Sequence, residues 1–257
     1  DFYFAGGLRA VLKRIAPLLH GNALTVSGER MGAIAEAGQV FDEDIIRPLD
    51  NPIYAEGATA VLRGNLAPDG CVMKPAASEP RFLKHTGPAL AFDTYAELKA
   101  NIDRDDLDVT PDHVIVLKNA GPQGGPGMPE WGMLPIPKKL VQAGVRDMLR
   151  ISDARMSGTS YGACILHVAP EAYIGGPLAF VRTGDRISVD VAKRSIRLEV
   201  SDEELASRRA AWTPPPPRYE RGFGWLSARH ITQADQGCDF DFLETGFGQA
   251  VEEPAIY

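Results

Sequence analysis

Cysteine is scarce in this chain of 257 residues, where Cys71, Cys164 and Cys238 are the whole complement. Odd in number and far apart, they suggest neither a disulfide framework nor a CxxC metal site, and each reads as a small buried apolar residue. Long hydrophobic runs are missing too. No stretch approaches the ~18–20 apolar residues that span a bilayer. The opening DFYFAGGLRAVLKRIAPLL has neither a basic leader nor a small-residue cleavage site, so the chain is expected to be cytoplasmic, without a membrane segment. Basic residues are outnumbered, 27 Lys and Arg against 34 Asp and Glu for a net charge of −7, which argues against a broadly nucleic-acid-binding surface. Two absent motifs narrow the chemistry further. No Gly-Lys-Ser or Gly-Lys-Thr follows the glycine-rich stretches, which speaks against a phosphate loop, and the serine in RMSGT lacks the G-x-S-x-G frame of a hydrolase elbow.

What is present can fill a core, since 44% of the residues are hydrophobic. Leu8, Val11, Leu12, Ile15, Leu18 and Leu19 recur at helical spacing, with Pro17 near the end and Gly21 beyond it. A second helix is expected within Ser27 to Ala37. The acidic, proline-bearing FDEDIIRPLDNP that follows reads as a linker, which places a domain boundary near residues 48 and 49. Beyond it, short β-branched runs dominate: ATAVLRG, CVMK, HVIVLKNA, DMLRIS, CILHVA, RISVDV and SIRLEV. The last two alternate in polarity and predict an antiparallel pair joined around residues 192–194. Only DTYAELKANI and SDEELASRRAAW read as helices among them, the second opened by the capping pair Ser201 and Glu204. Many strands and few helices predict a strand-rich, barrel-like α/β domain. After the stiff TPPPP spacer, the aromatic and glycine-rich tail shows no clear period and is expected to wrap over a partner or a neighbouring domain.

Two polar segments stand out against these runs. NAGPQGGPGMPEWGMLPIP, Asn119 to Pro137, holds five glycines and five prolines behind a strand, a backbone both permissive and locally pre-set. Its only carboxylate is Glu130, between Pro129 and Trp131, where the indole could shield it. That residue is either a surface glutamate in a rigid turn or a metal-binding or acid/base carboxylate. SDARMSGTSYG, Ser152 to Gly162, sits between two apolar runs and contains Ser157 and Thr159. Its hydroxyls either satisfy local backbone groups or carry chemistry. His167, on an apolar run, reads as a satisfied core histidine.

Taken in order, KNAGPQGGPGMPEWGMLPIP, RISDARMSGTSYG, HVAPEAYIGGPLAFVRTGDRISVDV and EELASRR resemble the carboxy-terminal part of the dihydroxy-acid dehydratase and phosphogluconate dehydratase family, and the likeness runs from DFYFAGGLRAVL to the tail. Ser152, Ala154, Thr159 and the tail QADQGCDFDFL resemble the sugar-acid branch, the arabinonate and xylonate dehydratases. The resemblance implies loss of water from a 2,3-dihydroxy acid to give a 2-keto-3-deoxy acid. It makes Ser157 the base that takes the C2 proton, Thr159 a substrate contact and Glu130 a magnesium ligand. It also implies an iron–sulfur cluster, [2Fe–2S] rather than [4Fe–4S], whose cysteine ligands belong to an amino-terminal half absent from this sequence, so the three cysteines here are not assigned to it. Residues 1–48 would then be the end of that amino-terminal domain and its linker, and residues 49–257 a swivelling β/β/α domain. The expected partners are a small sugar acid, the protein's own amino-terminal domain and further copies in a homodimer or homotetramer. A branched-chain dihydroxy-acid dehydratase and a non-catalytic binding domain stand as the alternatives.

Overall fold

A computed structural model describes residues 1–158 and 160–243. The chain separates into two compact units, Asp1–Gly57 and Ala58–Tyr257.

The first unit holds helix α1 (Gly7–Arg14) and helix α2 (Met31–Glu36) around a small core of Ala5, Ala10 and Ile46. The apolar period predicted one helix through Leu19. The chain instead leaves α1 after Arg14 and makes a 3-10 turn over Ala16–Leu18, because Pro17 offers no N–H and disfavours helical backbone at the residue before it. Leu8 and Leu18 are exposed. The acidic stretch 41–52 has no regular helix or strand, as its prolines and aspartates predict.

The second unit is a closed eight-stranded barrel, and the strand-rich α/β expectation holds. Its strands are β1 (Ala60–Gly64), β2 (Ala67–Met73), β3 (Lys84–Phe92), β4 (Val114–Leu117), β5 (Arg150–Ser152), β6 (Cys164–Ala169), β7 (Arg186–Asp190) and β8 (Ser195–Leu198). They close in the order β1-β2-β6-β5-β4-β3-β7-β8, sealed by the parallel pairing of Arg63 with Ser195. β3 through β6 are mutually parallel; β1–β2, β2–β6, β3–β7 and β7–β8 are antiparallel. Helices α3 (Tyr95–Asn101), α4 (Lys138–Gln142), α5 (Asp202–Ala211) and α6 (Gly222–His230) complete the unit.

Side-chain alternation divides the apolar residues between two layers. Val114 and Val116 join Leu62, Leu149, Ile151, Ile165 and Ile196 in one core; Ile115 and Leu117 turn the other way to meet Leu98, Leu134 and Met148 in a second. β4 is buried on both faces, so its sequence, VIVL, is apolar throughout. Ser201 caps α5 by accepting from the Glu204 N–H (3.2 Å), as the sequence predicts; the Glu204 carboxylate pairs with Arg208 (2.7 Å).

β3 was not among the runs read as strands. Gly87 and Pro88 interrupt it, but here the chain changes partners, pairing with β7 up to Pro88 and with β4 from Ala89 onward. A proline is tolerated there because the ladder on one side is ending. α6 and the segment after it fold back onto their own unit, where the Gln233 side chain donates to Glu171 (2.8 Å) and accepts from the Glu171 N–H (2.9 Å).

Candidate active site

Adjacent parallel strands require the connecting chain to travel back along the sheet. After β4 that return is made by the glycine-rich segment 118–137 and α4; after β5 it is made by the eleven residues 153–163, without a helix. Both returns are pinned at both ends by buried charged side chains. At the carboxyl ends of the strands, the fully buried Asp153 accepts from the N–H of Ala120 (2.9 Å) and of Ala172 (2.8 Å). At the amino ends, Arg150 donates to Leu134 O and Tyr161 O (3.0 Å each) and pairs with Asp147 (3.1 Å). Asp147 in turn accepts from the N–H of Ala163 and Glu79. A buried ion pair with every lone pair occupied fixes geometry more than it adds stability, and what it fixes here is two loops side by side.

The packing between the loops is close enough to dictate residue type. A Cβ on Gly132 would overlap the carbonyl oxygen of Arg155, and one on Gly162 would overlap the Arg150 guanidinium. Glu171 lies beneath the start of the glycine-rich loop, its carboxylate accepting from the N–H of Gln123 and Gly124 (2.9 Å each). Burial, then the nearby charge of Glu171, pushes the Asp153 carboxyl up to about 7. Burial likewise raises Glu171, opposed by the N–H groups of Gly124 and Gln123 and by Gln233.

Glu130 lies on the exposed rim of this arrangement, paired with a residue of the Ser157 segment. It is about half exposed, and its ion pair is with Arg155, two residues before Ser157. Trp131 does not shield it. The indole stacks on Tyr95 with ring centroids 5.1 Å apart, beside the outer core, and leaves the carboxylate in solvent. Ser157 is half-buried. Its carbonyl accepts from Lys74 Nζ (2.7 Å) and from the Ser160 N–H (3.2 Å), and Lys74 also reaches Gly158 O (3.2 Å). Thr159 lies outside the described residues.

His167 is half-buried and its ring is satisfied, as the apolar run predicts, though by a partner the sequence did not indicate. Between Gly70 and Val72 of β2, β6 carries one residue more than its partner, a bulge within which His167 adopts φ 55°. Such bulges re-aim side chains. Here the ring reaches the return segment and its Nε2 accepts the Met156 N–H (2.8 Å). Burial, then the charge of Arg155, lowers its pKa, which keeps the ring neutral and able to accept. Lys74, Asp147, Arg150, Asp153 and Glu171 also escaped sequence reading. The one available signal was the placement of Asp147, Arg150 and Asp153 in a run otherwise apolar enough to be a core strand.

No three His, Cys, Asp or Glu side chains among the described residues converge as a metal site. Cys71 and Cys164 are buried and donate to Leu62 O and Tyr161 O (3.5 Å each); Cys238 lies beside the Met128 sulfur. Burial pushes the Cys71 thiol up to about 12, which disfavours the thiolate a cluster needs. These cysteines do not fit an iron–sulfur cluster, and Glu130 offers a magnesium ion one carboxylate. Elsewhere in the unit, a cavity of about 480 Å³ lined by Asp93, Lys118, Arg182 and Arg208 has its cations engaged: Lys118 with Asp93 (2.9 Å), Arg208 with Asp185 and Glu204. Among the described residues no helix is long and apolar enough to cross a membrane.

Comparison with known proteins identifies the family. Residues 44–238 match the family model described as dihydroxy-acid/6-phosphogluconate dehydratase C-terminal. The chain is 56% identical to a 6-deoxy-6-sulfo-D-gluconate dehydratase of Pseudomonas putida, over 100% of the chain and 45% of that protein. It is 47% identical to an L-arabinonate dehydratase of Rhizobium leguminosarum bv. trifolii, over 98% and 44%. Likeness to a dihydroxy-acid dehydratase of Nitrosospira multiformis is lower, 40% over 94% and 43%. The chain spans less than half the length of these relatives and stands nearer the sugar-acid enzymes among them. With its barrel, its two pinned loops and this match, the chain belongs to the dihydroxy-acid/6-phosphogluconate dehydratase family and corresponds to the family's carboxy-terminal region.

Proposed function

We propose that this chain is the base-bearing carboxy-terminal half of a hydro-lyase that converts an aldonate of five or six carbons, such as L-arabinonate, to its 2-keto-3-deoxy acid. The observation that carries the reading is the juxtaposition of Glu130 with the Ser157 segment on one exposed rim, held by loops too tightly packed to wander. The greater identity to sugar-acid enzymes than to a dihydroxy-acid enzyme supports the substrate class.

In this reading Ser157, as an alkoxide, takes the proton from C2 while the C3 hydroxyl departs with its bonding electrons. The enol left behind tautomerises by protonation at C3. A free serine is too weak a base for this and needs a strong local field. A magnesium ion and an iron–sulfur cluster, held chiefly by the amino-terminal half of the full-length protein, would supply Lewis acidity at the C3 hydroxyl and a field that lowers the pKa of nearby oxygens. Glu130 would hold the magnesium from this side, in place of its Arg155 partner, and Thr159 would bond the substrate. Residues 1–48 belong to the amino-terminal domain, and residues 49–257 form the domain that closes over the metals. The complete protein is a cytoplasmic homodimer or homotetramer.

The test is a substrate screen of the full-length protein under anaerobic conditions with magnesium. C5 and C6 aldonates, with and without a C6 sulfonate, should yield 2-keto acids. Branched-chain dihydroxy acids should be slower by about a hundredfold or more, because polar groups built for the distal hydroxyls are left unpaired by an alkyl chain, at ~1–3 kcal/mol each. Preferential turnover of the branched-chain acids would overturn the substrate class.

A further inference from the structure

Ser157 has no regular secondary structure to orient it, yet its segment is held from neighbouring strands on both sides, at the Met156 N–H and at the Ser157 carbonyl. On one side the His167 ring, carried by the β6 bulge, accepts the N–H of Met156. On the other, Lys74 follows directly on β2, whose last residue Met73 pairs with Ile165 of β6. From there its ammonium group donates to two successive carbonyls, Ser157 O at 2.7 Å and Gly158 O at 3.2 Å. An ammonium group donating to two neighbouring carbonyls is a charge-assisted clamp. It sets the plane of the 157–158 peptide and with it the direction of the Ser157 Cα–Cβ bond.

We propose that Lys74 is a positioning residue for dehydration, acting through the backbone of Ser157 to aim its hydroxyl at the substrate C2 proton. The proposal rests on Ser157 being the base. Proton transfer demands near-attack geometry, and a displacement of about 1 Å can lower a rate by about a hundredfold. Substrate affinity, set by other contacts, is not expected to follow.

The experiment uses the full-length, metal-loaded enzyme with aldonate carrying hydrogen or deuterium at C2. Lys74→Met, which removes the donor and keeps much of the aliphatic length, is expected to lower kcat about 10- to 100-fold, leave KM within about threefold, and raise the C2 isotope effect on kcat as proton abstraction becomes the slow step. Loss of folded protein alone would lower the fraction of active enzyme without touching the isotope effect. Should Lys74→Met give no folded protein, Lys74→Gln, a neutral donor too short to reach both carbonyls, is read in the same way. A wild-type kcat in the folded variant, or a raised KM with kcat and isotope effect unchanged, overturns the proposal. Ser157→Ala separates the two claims. An inactive Ser157→Ala beside a wild-type-like Lys74 variant sinks only the positioning role, whereas an active Ser157→Ala sinks the base and the clamp together.

Discussion

Asp153 shows how a single buried side chain can organise two segments of backbone. Its two carboxylate oxygens each take one backbone N–H, from Ala120 and Ala172, and so tie the glycine-rich loop to the chain after β6. The pH dependence that follows has a definite sign. The carboxyl titrates near 3.9 when unfolded and is pushed up to about 7 in the folded protein by burial and Glu171. The native state therefore holds this proton more tightly, so the stabilisation is fully present below about pH 4 and is lost as pH rises through 7. Asp153→Asn removes the titration. Denaturant melts from pH 4 to 8 should show stability falling less steeply with pH in the variant than in the wild type; equal slopes would contradict the coupling. His167 contributes in the opposite sense. Its lowered pKa means the unfolded chain binds the proton more readily, so its share of stability declines as pH falls through the ordinary histidine range.

At the scale of elements, the site is built from two return segments, and their close packing predicts where substitution fails. Gly162 sits at φ 79°, and a Cβ there would overlap Arg150 and Asp147. Gly162→Ala is expected to destabilise the protein by about 2–4 kcal/mol, combining a strained backbone with a disturbed buried ion pair. Differential scanning calorimetry would check this, and a melting temperature unchanged from wild type would contradict it. Gly144, also at positive φ (92°) but with open space around its Cβ position, serves as the control and should lose only about 1 kcal/mol on substitution by alanine.

Which elements could be read in advance follows from where their information resides. β4 was legible because VIVL is buried on both faces, and α5 because its cap and charges are local. β3 was not, because Gly87 and Pro88 argue against a strand until the switch of partners is known, and α6 was not, because GFGWLSARH carries little helical period. Of the site, Glu130 and Ser157 were reached through resemblance to a family. Their supports were beyond reach, since Lys74 lies 83 residues from Ser157 in sequence and only the pairing of β2 with β6, beside β5, brings them together.

For the whole molecule, the proposal assigns this chain a base, Ser157, and one metal carboxylate, Glu130, while no three His, Cys, Asp or Glu side chains among the described residues converge as a metal site. In that reading the chemistry is shared across two halves of a longer protein. Glu130→Gln in that protein should weaken magnesium binding by about tenfold or more while leaving iron and sulfide content unchanged, because only one ligand is altered; an unchanged magnesium titration would remove Glu130 from the ion's shell. The half-exposed pair with Arg155 presents little opposition to ligand exchange, since exposed ion pairs contribute roughly 0–1 kcal/mol.

The most direct test of the central claim is the turnover of Ser157→Ala in the full-length, metal-loaded enzyme, measured with an aldonate substrate beside its magnesium, iron and sulfide content. Loss of at least about a thousandfold in kcat with all three contents at wild-type levels is the predicted result. Activity within tenfold of wild type would contradict it, and the base would have to be sought elsewhere.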